Sequence, residues 1–159
     1  MEYVQEIPQQ ASLLRGFGAT LYIPVISIAI ALAMCFASMF RQGRVMEELG
    51  GKISGHQDLT PVKDAINLSM ILAVAYMGLF GVMILLLGFF FANGTISFFA
   101  ATTHLFLFGV VTLPFGLWSK VVEKKFRAME VTAADPSVAE TFQRWLVQWN
   151  EARLKLPDD

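Results

Sequence analysis

Two long stretches, residues 16–40 and 65–119, contain no Asp, Glu, Lys or Arg, and they decide most of what this chain can become. A charge in hydrocarbon is costly enough to be rare there, so runs of this kind are natural in lipid. A soluble surface helix needs a polar face, and neither stretch supplies one. A helix crossing roughly 30 Å of hydrocarbon takes about 20 apolar residues. The first stretch therefore holds one span, expected at 20–40. The second is too long for one span and suits two. Its natural break is Ala92-Asn93-Gly94-Thr95, because Asn-Gly is a turn dipeptide and both flanks are strongly apolar. The remaining spans are then expected at 65–91 and 96–118. The fold class is an all-α integral membrane protein with three transmembrane helices. Composition agrees, since only 16% of residues are charged where roughly a quarter is usual.

Orientation follows from Lys and Arg. The N-terminal tail, 1–19, carries Arg15 alone, and the turn at 92–95 carries no charge. The loop at 41–64 holds Arg41, Arg44, Lys52 and Lys63. The tail at 119–159 holds Lys120, Lys124, Lys125, Arg127, Arg144, Arg153 and Lys155. Three spans force loop and tail onto one side, and the positive-inside rule assigns that side to the cytoplasm. The expected topology is N-out/C-in, in a bacterial cytoplasmic (inner) membrane. A cleaved signal peptide would want its positive charges ahead of the first apolar run, but Arg41 and Arg44 follow it. Within the loop, Asp58 or Thr60 should cap the next helix, with Pro61 in its first turn. Residues 120–131 should continue the third span as a charged helix. Asp135-Pro136 is a good cap and first-turn pair for an amphipathic tail helix. Its apolar face carries Val138, Phe142, Trp145, Leu146 and Trp149 at helical spacing, which predicts docking to a partner subunit or to the headgroup layer.

Few residues suggest chemistry. His104 is the one histidine inside a predicted span, and it admits two readings. It is either a neutral, hydrogen-bonded histidine at a helix interface or a ligand to haem or chlorophyll, or a proton relay. One membrane histidine excludes a bis-histidine haem within the chain. Thr102, Thr103 and Thr112 with Pro114 give the third span a polar face, which either lines a narrow path or bonds back to its own backbone. Ala29, Ala33 and Ala37 fall four apart on the first span, and Gly78 and Gly81 lie on the second. Such small-residue faces suit close helix packing. His56 sits in the polar loop without the companions a metal site needs. No catalytic set is present, and a net charge of -1 gives no footprint for nucleic acid. The single Cys35 has no partner for an internal disulfide.

The string Ala100-Ala101-Thr102-Thr103, then Pro114, then the basic run from Lys120 to Arg127 resembles the last span of the TolQ, ExbB and MotA proton-channel proteins. Met77-Gly78-Leu79-Phe80-Gly81-Val82 is similar to the glycine-rich start of their preceding span. The resemblance covers about a third of the chain and implies a homo-oligomeric, stator-like channel subunit of the same topology. The chain departs from that pattern at Val82, where the family places a pore threonine, and in its short loop at 41–64. The residues themselves favour a non-catalytic subunit of a larger membrane complex, with energy-transducing assemblies among the candidates, embedded in the bilayer beside other membrane subunits. A haem- or chlorophyll-ligating subunit acting through His104 is the third expectation.

Overall fold

Three helices carry the apolar stretches in the computed structural model, which describes residues 16–151 and 154–157. A short helix α1 (Phe17–Thr20) leads into α2 (Tyr22–Glu48). The strand β1 (Lys52–Ile53) then precedes α3 (His56–Ala92) and α4 (Phe98–Arg127). The strand β2 (Glu130–Val131) and the helix α5 (Pro136–Gln148) complete the order. The segments Phe17–Glu48, His56–Ala92 and Phe98–Arg127 are each long and apolar enough to cross a membrane. In their most apolar stretches only 33, 17 and 11% of residues are buried within the molecule. Side chains such as Leu85 and Phe106 lie 74 and 70% exposed. That much bare apolar surface is stable against lipid and not against water. The chain is a multi-pass membrane protein.

The expected turn at 92–95 and the end of α2 are closed by the same device. At Gly94, φ is +66°, Thr95 N–H reaches back to the Phe90 carbonyl (2.9 Å) and Gly94 N–H to the Phe91 carbonyl (2.9 Å). At Gly50, φ is +58°, with Gly51 N–H on Met46 (2.8 Å) and Gly50 N–H on Glu47 (3.1 Å). This left-handed glycine cap satisfies the last carbonyls of a helix at no steric cost.

Helix boundaries outrun the expected spans on the loop and tail side. α2 continues past residue 40 to Glu48. α3 begins at His56, ahead of the expected cap, and Asp58 accepts from the Ser54 N–H (2.7 Å) from inside the first turn. Pro61 consequently falls in the second turn, where its missing N–H leaves one helical bond unmade. The expected helix over 120–131 stops at Arg127, and Glu130–Val131 pairs in parallel with Lys52–Ile53. Glu130 N–H bonds the Gly51 carbonyl (3.2 Å) and Thr132 N–H the Ile53 carbonyl (2.9 Å). Parallel strands need a long crossover, and here α3 and α4 are that crossover. The pairing joins the Lys/Arg-rich loop directly to the Lys/Arg-rich tail, as three spans require.

The chain divides into two units, Met1–Leu32 with Met77–Pro114, and Ala33–Tyr76 with Phe115–Asp159. Among the described residues the first unit holds no Asp, Glu, Lys or Arg. The second holds a hydrophobic core that includes Val45, Ile53, Leu59, Val62, Ile66, Phe126, Val138, Phe142, Trp145, Trp149 and Leu156. α5 is capped by Asp135, which accepts from Ser137 N–H, with Pro136 at its first position as expected.

Candidate functional site

His104 is the focus of the uncharged unit. It is fully buried, and both ring nitrogens are engaged. Nδ1 lies 2.5 Å from the Ala100 carbonyl oxygen one turn back. A carbonyl only accepts, so Nδ1 carries the proton. In the neutral ring Nε2 is then an acceptor, and the Thr20 hydroxyl stands 3.2 Å from it. Thr20 Oγ1 has a second acceptor within reach, the Gly16 carbonyl at 2.9 Å, which already receives the Thr20 N–H at 3.2 Å. The single hydroxyl proton of Thr20 thus serves either the Gly16 carbonyl at 2.9 Å or the ring nitrogen at 3.2 Å. The Phe17 ring meets the imidazole edge-on at 4.7 Å.

The geometry explains why α1 stays against α4. Gly16 caps α1 with φ +73°, and a Cβ there would collide with the Thr95 carbonyl and stand 2.8 Å from Ile96 Cγ2. Only glycine lets the chain pass this close to the turn that follows α3. Ser97 caps α4 through the Ala100 N–H (3.1 Å), and Ile96 and Ala100 are buried beside it. The small Ala100 and Ala101 leave room for the incoming helix. Sequence reasoning flagged His104 but missed Gly16, Phe17 and Thr20. The available signal was a threonine placed at the very start of an apolar run.

The other expected site residues separate into distinct surroundings. Thr102 and Thr103 turn their hydroxyls onto the carbonyls of Phe98 and Phe99 at 2.7–3.0 Å. Thr112 is buried and donates to Phe108 (2.8 Å), while Pro114 lies exposed within α4. All three hydroxyls thus serve backbone, and Phe108 stacks on Phe80 at 5.6 Å. Ala29, Ala33 and Ala37 are exposed. Gly78 is exposed as well, and a Cβ on Gly78 or Gly81 would meet nothing within 4 Å. Among the described residues Ala29 and Ala33 are open to the outside, while Ala37 borders a cleft that Trp118 and Val122 of α4 also line.

Phe142, Trp145 and Trp149 are buried in the core of the charged unit, with Leu146 partly buried against it. The expectation that their face requires a partner or the headgroup layer is corrected here. The chain supplies the surface itself, from Leu59, Val62, Ile66 and Phe126. Arg127 locks this docking. Its guanidinium donates to Glu123 (2.9 Å), the Leu146 carbonyl (3.3 Å) and Asn150 Oδ1 (3.0 Å), and lies 4.3 Å from the Trp149 ring centre. A cation at the C-terminal carbonyls of α5 also complements the helix dipole. Asn67 Oδ1 accepts from Leu156 N–H (2.6 Å), fastening the chain beyond α5. His56 is not isolated either: Nε2 meets Asp135 (3.0 Å) and Ser137 Oγ (3.2 Å). That contact, then the Ser137 N–H, draws the Asp135 carboxyl from 3.8 to about 2.

Among the described residues no group of three His, Cys, Asp or Glu is placed to hold a metal ion. No protein-family model, curated protein or solved structure matches the chain.

Proposed function

We propose that this protein is a non-catalytic subunit of a larger membrane complex, inserted N-out/C-in in a bacterial cytoplasmic membrane. The carrying observation is the exposed alanine face of α2. A lipid-facing surface gains most from bulky side chains, whereas Ala29, Ala33 and Ala37 bare the backbone of α2 to close approach. Close approach gives van der Waals contact and weak Cα–H bonds, the forces that join helices where lipid removes any hydrophobic drive. The threonines of α4 are turned to their own backbone, which favours a packing role over a pore. The cytoplasmic side is assigned from the Lys and Arg of loop and tail.

A photo-crosslinking residue at Ala33, introduced in cells, tests the reading. The expected product is a discrete adduct with a foreign membrane polypeptide. A control at the lipid-facing Leu85 should give none. Lipid adducts alone at Ala33 would remove the basis for a partner on this face. Cysteines placed at Gly94 and at Asp58 test orientation, since an impermeant thiol reagent should label only the first in intact cells.

A further inference from the structure

A groove runs along the charged unit between one face of α2, from Phe36 to Met46, and one face of α4, from Trp118 to Lys125. Positions three and four apart supply each wall: Phe36, Phe40 and Gly43 on α2, and Trp118, Val122 and Lys125 on α4. Its volume is about 640 Å³. Gly43 adds no side chain to it, and a Cβ there would meet nothing within 4 Å. At one end the Phe36 and Trp118 rings meet edge-on at 6.5 Å. Phe40 and Trp118 remain 71 and 55% exposed, so the groove opens sideways to the lipid. Lys125 is the one charged residue in the lining, and no carboxylate lines it. Nearby cations are engaged elsewhere, since Lys120 and Arg127 both pair with Glu123 (2.8 Å) and Arg44 with Glu48 (2.8 Å). Lys125 is exposed and makes no ion pair among the described residues.

We infer that this groove holds an acyl chain of an anionic phospholipid, with the lipid phosphate against Lys125. Depth is the first argument. The charge-free stretches end at Phe40 on α2 and at Ser119 on α4, and the groove crosses both limits. Its Phe36 end therefore faces hydrocarbon. Lys125 follows Ser119 by six residues, about 9 Å of helix, and the headgroup layer is roughly 5–8 Å thick on each side. Cα–Cβ bonds tilt towards a helix's N-terminus, which leans the Lys125 side chain back into that layer. Width is the second argument. From Phe36 to Met46 α2 rises about 15 Å, so the volume corresponds to a cross-section of about 40 Å². A helix about 10 Å across needs roughly twice that, whereas a hydrocarbon chain is slimmer. Charge is the third. A lysine without a counter-ion at the polar end of an apolar groove complements a lipid phosphate. A zwitterionic headgroup offsets that phosphate with its own ammonium, and an anionic one does not. The inference uses neither the direction of insertion nor a partner subunit, and the crosslinking position Ala33 lies outside the lining.

The test places the full chain in phosphatidylcholine vesicles and reads tryptophan fluorescence. Bromine on an acyl chain quenches only an indole it touches. Trp118 lines the groove, whereas Trp145 and Trp149 are buried in the core of their unit and supply an unquenched background. Brominated phosphatidylglycerol should quench Trp118 at about one fifth of the mole fraction that brominated phosphatidylcholine requires, the preference one lysine gives near a membrane surface. Lys125→Gln should erase that preference. Lys124→Gln, next to it in sequence but outside the lining, should keep it. Gly43→Leu fills the groove and should erase the preference with both lysines in place. An unchanged near-ultraviolet circular dichroism spectrum shows that the variants are folded. Equal quenching of the wild-type chain by the two lipids overturns the inference. So does a preference that survives Lys125→Gln or Gly43→Leu, or one that Lys124→Gln also removes, which marks diffuse surface charge. Trp118 quenched by neither lipid means that a second copy or another helix fills the groove, and that too overturns it.

Discussion

Replacing Thr20 with Val tests the buried bond to His104 almost in isolation, because the two side chains have nearly the same shape and no cavity opens. The variant strands Nε2 of a ring that is 0% exposed. An unpaired buried acceptor costs about 1–3 kcal/mol in water-soluble proteins. Hydrogen bonds between transmembrane helices measure lower, averaging about 0.6 and reaching about 1.7 kcal/mol, because the unfolded chain in lipid also finds partners. The contact at 3.2 Å is of ordinary length, so about 1 kcal/mol is expected for Thr20→Val. His104→Leu removes the ring, its bond to Ala100 and its edge contact with Phe17 together. The double variant should then cost about 0.6–1.7 kcal/mol less than the sum of the singles, since the stranded nitrogen is gone. Unfolding in mild detergent, titrated with dodecyl sulfate, supplies the four free energies. Histidine ¹⁵N spectra supply an independent reading, with the proton expected on Nδ1. Additivity of the two singles to within about 0.3 kcal/mol would refute the bond. A proton found on Nε2 would refute the assignment of donor and acceptor.

Gly16→Ala should destabilise the protein by at least about 1–2 kcal/mol, the cost of a left-handed non-glycine residue, before the collision with Thr95 is added; the same detergent titration reads it. Arg127→Ala should cost about 2 kcal/mol by removing charge-assisted bonds and the Trp149 contact. Arg127→Lys should recover less than half, because an ammonium cannot reproduce the three-way fork; limited proteolysis after residue 131 reports release of α5. The Asp135 carboxyl, lowered from 3.8 to about 2, predicts the response to acid. A group whose folded pKa lies below its unfolded value stabilises above the unfolded value, and that stabilisation is lost as pH falls through the folded one. The α5 docking should therefore loosen between about pH 4 and pH 2, and Asp135→Asn should flatten that acid limb in near-ultraviolet circular dichroism of the tryptophans.

The spans and their turn could be read from the sequence because their causes are local. Charge exclusion acts residue by residue, and the Asn93-Gly94 break works through the one backbone angle that glycine permits. The Asp135-Pro136 cap is equally local. What escaped reading joins residues far apart. β1 and β2 are two residues each, too short to show alternation, and they pair across two intervening spans. The Thr20 bond to His104 closes a separation of 84 residues. Arg127 looks like one more solvated cation in a basic run. It acquires its role only because its turn of α4 faces the last carbonyls of α5. The start of α3 was missed because its cap residue, Gly55, offers no side chain to announce it.

The direction of the helix faces was the least legible feature, and its logic bears on function. On α2 the buried positions include Thr20 just ahead of it, then Ser27, Ser38 and Gln42, while Val25, Ile26, Ile30 and Phe40 are exposed. Polar side chains that would be satisfied by water on a soluble protein turn inward here, and the Gln42 amide nitrogen donates to Ser38 Oγ at 3.2 Å while its Oε1 is buried without a partner among the described residues. A hydrophobic pattern read for a buried apolar face therefore selects the wrong side of such a helix. Three alanines, Ala29, Ala33 and Ala37, lie exposed among the bulky residues, while Ala31 is buried. Since α5 spends its aromatic face on the core of its own unit, it offers no such surface to a partner. Under the proposed reading, a partner is therefore sought on the small-residue face of α2 before the tail, and crosslinking from Ala33 is more informative than any truncation of the tail.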